Sequence, residues 1–312
     1  MASPTPASAP GASNSSLHAA RRDKNDEFYT QLTDVEKELQ HYENHFNGKV
    51  VFCNCDDDWS SFWKYFKGKF TVLGLKKLVA THYESGTRSY KLEYFGVGDD
   101  VTRTNLLDNC DGDFRSDECQ AILDEADIVV TNPPFSLFRE YVAQLMEHGK
   151  QFLIIGSSNA ITYKETFKLI SSNQIWLGTT APKVFKQPDG SIKTFGNICW
   201  FTNLEHKKRN EELVLFKTYA GNEGKYPKYD NYDAIEVAKV SDIPLDYKGA
   251  MGVPITFLGK FNPKQFEILS SNDFRRSDAV PFKAHGLIKD KDGVINGKAV
   301  YVRIVLKLKN PQ

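Results

Sequence analysis

The stretch Asp127-Ile128-Val129-Val130-Thr131-Asn132-Pro133-Pro134-Phe135 constrains the fold of this chain more than any other. The short apolar run Ile128 to Val130 reads as a buried strand. The two prolines that follow forbid its continuation. Each lacks an N–H and fixes φ, and the residue before a proline is driven out of the helical region. The chain must therefore leave the sheet in a stiff loop. Beyond it, Leu137, Phe138, Tyr141, Val142, Leu145 and Met146 recur at helical spacing until Gly149 stops them. Strand, loop and helix in that order place the loop at the carboxyl end of a strand, where open α/β sheets bind their ligands.

The same alternation runs through the first two thirds of the chain. Asp34 to Phe46 reads as a helix ended by Gly48, and Val50-Val51-Phe52 as a first strand leading into the loop Cys53 to Asp58. A helix carrying Trp59, Phe62, Trp63 and Phe66 follows, then the strand Leu78-Val79-Ala80, with Tyr94-Phe95 in a hairpin or loop. Asp111 to Arg115 is a polar turn before a helix from Ser116 to Glu125. Phe152 to Ile155, Gln174 to Leu177 and Ile198 to Phe201 read as further strands, with a helix from Thr162 to Ile170 and a polar loop or hairpin from Lys183 to Thr194. This pattern predicts a doubly wound, mostly parallel α/β sheet. After Asn203 the texture becomes that of an α+β appendage. Asn262-Pro263 signals a helix containing Phe266, Ile268 and Leu269, and Ala299 to Leu308 alternates like a strand. The tyrosines between Tyr226 and Asp233 suit a packed aromatic cluster or a contact surface. Three regions are expected: a disordered tail over 1–22, a catalytic domain over 23–204, and a C-terminal contact region over 205–312.

Composition excludes several classes. No apolar run approaches the roughly 18 residues of a membrane span. The tail, Met1 to Arg22, has no acid and no apolar segment of a secretory signal. Five cysteines without scaffold spacing suit a reducing, cytoplasmic setting, and Cys53-x-Cys55 has no partner pair for a zinc site, so no metal is expected. Net charge is +0, which argues against a general nucleic-acid coat. Charge is nonetheless segregated, because Thr256 to Gln312 holds 8 Lys and 3 Arg against 4 Asp and 1 Glu, a net of +6 that suits phosphates or a solvated surface.

Asn132 to Phe135 suit one kind of chemistry. An aromatic amine is a weak nucleophile, because its lone pair is delocalised into the ring. Alkylating it calls for acceptors on both amine hydrogens. The Asn132 amide oxygen supplies one acceptor and the Pro133 carbonyl a second. Phe135 supplies a stacking face worth roughly 1–3 kcal/mol per base. Positioning against a methyl sulfonium supplies roughly 7–11 kcal/mol of a barrier. A methyl-donor site also needs a loop after the first strand, an acceptor for the ribose and a pocket for adenine. The Cys53–Asp58 loop lacks the Gly-x-Gly of dinucleotide sites. Its acidic run, Asp56 to Asp58, is an acceptor for an ammonium group or a helix-capping cluster. Glu84 is a candidate ribose acceptor. Asp113-Phe114 is an amine acceptor beside an aromatic wall, or a capped turn. Cytosine-C5 chemistry is disfavoured, because the chain has no Pro-Cys dipeptide.

The chain resembles the EcoRI-type adenine-specific DNA methyltransferases from about Asp26 onward. The resemblance is carried by Asp26–Gln31, Cys53-Asn54-Cys55-Asp56-Asp57, Gly112–Ser116, Asp127–Glu140, Ile161–Lys164, Ile175–Gly178, Tyr226–Ala234, Asp242–Tyr247 and Met251–Leu258. It implies a class I methyltransferase fold, S-adenosylmethionine as cofactor and adenine N6 in double-stranded DNA as target; no obligate protein partner is evident in the sequence. Asn132, Pro133, Pro134 and Phe135 match the catalytic motif, and Asp113 and Phe114 the motif for the cofactor's adenine. Phe28 and Tyr29 match an N-terminal cofactor motif, and the loop containing Cys53, Asn54 and Asp56 stands in for the glycine motif. Trp200 and Phe201 fall where such enzymes stack an aromatic on an extruded base. Thr179–Asn197 is shorter, and Ser270–Gly293 longer, than the family pattern, so the target sequence is not carried over. The alternatives are an N-methyltransferase of this fold acting on RNA or a protein glutamine, and an inactive DNA-binding relative.

Overall fold

The computed structural model describes residues 29–83, 88–107, 110–187, 190–231, 233–271, 293–300 and 303–312. Phe28, Glu84 and the 1–22 tail lie outside them. Eight strands form the main sheet: β1 (Val50–Asn54), β2 (Lys77–Thr81), β3 (Tyr90–Tyr94), β4 (Val101–Asn105), β5 (Ile128–Thr131), β6 (Gln151–Ser157), β7 (Trp176–Leu177) and β8 (Ile198–Thr202). Their order is β4-β3-β2-β1-β5-β6-β8-β7.

The sheet is mixed, not mostly parallel. Only the β2–β1, β1–β5 and β5–β6 pairings are parallel. The β2–β3, β3–β4, β6–β8 and β8–β7 pairings are antiparallel. Connection length explains one flank. A parallel return needs a crossover of about a dozen residues or more. Thr81 is followed by Tyr90 too soon for one, so β3 and β4 add as antiparallel edge strands.

Both faces of the parallel centre are covered. In β1, Val51 and Cys53 enter one apolar layer while Val50 and Phe52 enter the other, the period-2 alternation of a strand buried on both sides. On one face lie α1 (Leu32–Leu39), α2 (Ser61–Gly68) and α3 (Phe70–Leu73), which contribute Val35, Leu39, Phe62, Trp63 and Phe66. Helix α1 is shorter than expected, because the chain tightens into a 3-10 turn at Glu43–His45. On the other face lie α4 (Asp117–Glu125), α5 (Phe138–Glu147) and α6 (Lys164–Ser171). Ser60 caps α2 by accepting from the Trp63 N–H at 3.0 Å, and Ser116 caps α4 by accepting from the Cys119 N–H at 3.2 Å.

Four more strands, β9 (Ala234–Glu236), β10 (Ala250–Pro254), β11 (Phe266–Ser271) and β12 (Arg303–Leu308), make a second sheet in the order β9-β10-β12-β11. The helix expected after Asn262-Pro263 is instead strand β11. Phe266 and Ile268 are buried with Glu267 exposed between them, and Phe266 pairs with Leu308 and Ile268 with Leu306. Tyr226, Ile235, Met251, Phe266 and Ile304 share an apolar cluster with Phe152 and the α4–α6 helices, so one core continues past residue 204. Tyr226 and Tyr229 are buried in this packing.

A third, small sheet lies at the carboxyl edge of the main one. Val184–Lys186 and Ile192–Thr194 form a hairpin, and Tyr29–Thr30 pairs with its first strand. Glu38, fully buried on α1, anchors its approach. Its carboxyl oxygens accept from Tyr42 Oη, from the Thr179 and Thr180 N–H groups and from both threonine hydroxyls, at 2.5–3.0 Å. Five donors on one buried carboxylate offset its desolvation.

Candidate active site

The chain runs from β1 outward to β2, then returns to β5 and continues to β6, so the strand order reverses between β1 and β5. Open α/β sheets hold ligands outside the carboxyl ends at such a point. Three side chains tie these ends together. Thr81, closing β2, donates from Oγ1 to Asn54 Oδ1 at 2.7 Å. Thr131, closing β5, has its Oγ1 at 2.6 Å from the Asn54 carbonyl oxygen and 2.9 Å from Asp56 Oδ2. All of Thr81, Asn54 and Thr131 are buried.

The Asn132–Phe135 loop leaves directly from this knot. Asn132 is half-buried, Pro133 buried, and Pro134 and Phe135 half-buried. Leu137 N–H closes a short turn on the Pro134 carbonyl at 3.0 Å, and this turn leads into α5. Phe135 rests against the α1–α2 layer while keeping part of its ring at the surface. The loop is thus fixed at both ends, by Thr131 in the sheet and by the turn onto α5.

The first loop solves its backbone problem without glycine. Cys55 adopts φ +58°, the left-handed region that a side chain rarely enters. Cys53 contributes only backbone here, because its side chain is buried in the α1–α2 layer, where burial pushes the thiol well above its ordinary range. Asp57 accepts from the Asp58 N–H at 2.7 Å and from Trp59 Nε1 at 2.9 Å, so the acidic run folds on itself, and the cap of α2 is Ser60 rather than an aspartate. Asp56 is carried up to about 7, chiefly by burial. Tyr29 packs edge-on against Trp59, ring centroids 4.3 Å apart, and Ser61 Oγ donates to the Thr30 carbonyl at 2.6 Å. The N-terminal strand therefore sits on the first loop.

The Asp113 turn closes the other side. Gly112, at φ +86°, lies so close to the His82 carbonyl that any Cβ would collide with it. This presses the turn onto the carboxyl end of β2. Asp113 is gripped by Arg115, which donates to both of its oxygens at 2.6 and 2.9 Å and holds its carboxyl below the usual range. Phe114 is buried edge-on against Tyr141 at 4.9 Å. The capped-turn reading therefore describes the folded geometry, and the carboxylate keeps further lone-pair capacity beyond Arg115.

Trp200 and Phe201 do not form a stacking face. Both are fully buried in β8, where Trp200 meets Phe62 and Phe201 meets Phe138 on opposite sides of the sheet. A strand in the middle of a covered sheet buries both alternating positions, so neither ring can reach a base. Sequence reasoning also missed Thr81, Thr131, Gly112 and Trp59. The signal for Thr131 was its place, a hydroxyl at the last strand position before Asn-Pro-Pro. Among the described residues, no group of three or more His, Cys, Asp or Glu is placed to hold a metal, and no helix is long and apolar enough to cross a membrane.

A family profile described as "Adenine-specific methyltransferase EcoRI" matches residues 16–309. The chain is 46% identical over 336 aligned residues to the Type II methyltransferase M.EcoRI of Escherichia coli, covering 96% of this chain and 98% of that protein. It is 43% identical to the Type II methyltransferase M.MpnI of Mycoplasma pneumoniae, over 93% and 97% of the two chains. A relative from Mycoplasma genitalium, M.MgeORF184P, is 38% identical over 93% and 98%. No solved structure matches the chain.

Proposed function

The chain belongs to the family of EcoRI-type adenine-specific methyltransferases, and from that premise we propose that it methylates the N6 amine of adenine at a specific site in double-stranded DNA, with S-adenosylmethionine as donor. The observation that carries this reading is the Asn132–Phe135 loop, held by Thr131 beside the end of β1 at the strand-order reversal. The parallel centre, flanked by β8 running against it and by β7 beyond β8, supports a class I methyltransferase fold. The donor set also fits a methyl donor with an ammonium group and an adenosine. The carboxyls of Asp56 and Asp57 suit a cation, and the surface of Trp59 beside Tyr29 suits an aromatic ring. Asn54, Asp56, Tyr29, Asp113 and Phe114 would hold it, with Phe28 and Glu84 outside the described residues. When bound, the cofactor supplies an electrophilic methyl on sulfur.

In this reading the protein's own groups do the positioning. The Asn132 amide oxygen and the Pro133 carbonyl accept from the two amine hydrogens. Phe135 stacks on the base, and the withdrawal of Trp200 and Phe201 leaves it as the stacking residue of the site. The target base must leave the duplex, since its amine is out of reach inside it. The exposed lysines 183, 186 and 193 stand on and beside the hairpin at this same edge and suit the DNA backbone. Residues 205–312 take the role of target recognition, and 23–204 that of the catalytic domain. Single-molecule sequencing of DNA from cells producing this protein, beside an Asn132→Ala control, tests the proposal. N6-methyladenine at one short motif, absent in the control, is the expected outcome. Transfer to RNA or a protein glutamine with DNA untouched overturns it, and so does full activity of the variant.

A further inference from the structure

Thr131 Oγ1 carries one hydrogen, yet two oxygens stand within bonding distance of it, the Asn54 carbonyl at 2.6 Å and Asp56 Oδ2 at 2.9 Å. A carbonyl only accepts, and an ionised carboxylate only accepts. With Asp56 ionised, one of the two contacts would set oxygen against oxygen with no proton between them. With Asp56 neutral, its O–H donates to Thr131 Oγ1, and Thr131 donates to Asn54. Both contacts are then hydrogen bonds, and the chain of donors closes.

We propose that Asp56 stands as a neutral carboxylic acid at the head of an Asp56–Thr131–Asn54 hydroxyl chain, and that a cationic group of the methyl donor, bound at the end of β1, ionises it. The inference rests on the methyl-donor reading above. The proton of Asp56 leaves to solvent, and the Thr131 hydroxyl turns from the Asn54 carbonyl to the new carboxylate. No other bond changes. The turn frees the Asn54 carbonyl, so the incoming cation meets two acceptors, the carbonyl and the carboxylate. Thr131 is also the residue before Asn132, so the rearrangement occurs one peptide from the loop that holds the amine. Asp56 and Thr131 are thus positioning residues that couple the donor to the catalytic loop.

The surroundings agree with a neutral acid. Asp57 faces Asp56 from its own loop and opposes its ionisation, while Ser60, at the start of α2, and Thr131, on β5, offer hydroxyls that favour it. Cys53 of β1 and Tyr141 of α5 also face it, and both are held protonated by burial. No lysine, arginine or histidine among the described residues pairs with Asp56. Burial is the largest influence and carries the group up to about 7.

The test is calorimetric titration with S-adenosylhomocysteine, which keeps the ammonium but cannot donate a methyl, in pairs of buffers of different ionisation enthalpy. At pH 7 the wild-type protein should release about half a proton per ligand bound, falling to almost none at pH 9, as expected of a group half-protonated at neutrality. Asp56→Asn should bind with no release at either pH. Thr131→Ser, which keeps the hydroxyl of the chain, should keep the release. Binding by the wild-type protein without proton release overturns the coupling and leaves the donor reading intact, as does release that survives in Asp56→Asn. Absence of any binding overturns the donor reading and the coupling with it.

Discussion

Cys55 holds a left-handed backbone at φ +58°, where sheets of this kind commonly place glycine, and a side chain there costs roughly 1–2 kcal/mol. A β-branched residue should make this worse. Cys55→Val is expected to be less stable than Cys55→Gly by at least about 1 kcal/mol in urea denaturation, with Cys55→Gly within about 1 kcal/mol of wild type, because relief of strain offsets glycine's entropy. Asn132 is expected to act on rate rather than binding. Asn132→Ala should slow tritium transfer to duplex DNA at least about a hundredfold, the scale of losing one oriented hydrogen-bonding group at a reacting centre. Its affinity for S-adenosylhomocysteine should be unchanged within a few-fold. Asn132 was legible, because two prolines leave an amide few roles at a strand end. The left-handed turn at Cys55 was not, because nothing in Cys-Asn-Cys-Asp-Asp marks that conformation without glycine. The hydroxyl of Thr131 gains its meaning only once Asn54 and Asp56 are brought beside it across 75 or more positions of chain.

Elements were legible where local pattern and tertiary pairing agree. The strand β5 and helix α5 follow directly from the apolar run and the 3.6-residue spacing around Asn132–Phe135. Strand β11 did not, because Asn262-Pro263 is a good helix start and Phe266 and Leu269 share helical spacing. The deciding partner, β12, lies across more than thirty residues and supplies a ladder that no local window contains. Strand direction was equally hidden, since β3 and β4 look the same whichever way they pair. The hairpin Val184–Lys186/Ile192–Thr194 gives an element-scale prediction. Two exposed lysines, Lys186 and Lys193, lie in the hairpin, and a third, Lys183, precedes it. Replacing Lys183, Lys186 and Lys193 with Ala together should reduce the slope of log affinity against log salt by about 2–3, close to 0.9 for each phosphate no longer neutralised. The rate at saturating DNA should hold. An unchanged slope would remove the hairpin from the DNA surface.

At the scale of the whole molecule, Asp56 makes stability depend on pH. Its folded-state pKa, about 7, lies above the ordinary carboxylate value of about 4. Its stabilising contribution is therefore complete below about pH 4 and is lost as pH rises through 7. Asp56→Asn lacks that loss, so wild type should weaken relative to the variant between pH 4 and 7 and run parallel to it above. Urea titrations of the two proteins at several pH values measure this. The shared core gives a second expectation. A fragment ending at residue 204 would uncover the Phe152–Phe201 side of the apolar cluster that Tyr226, Met251 and Phe266 now cover. Such a fragment should bind a hydrophobic dye and melt without a sharp transition, although residues 23–204 carry the proposed chemistry. The position of β12 has a further consequence. It lies between β10 and β11 in space, yet it is the last of the four to be synthesised. On a translating ribosome, at about 5–20 residues per second, β10 and β11 must wait several seconds with their facing edges open. Through that interval the nascent chain presents apolar strands whose facing edges are unpaired, and the sheet closes only when the strand that arrives last enters between them.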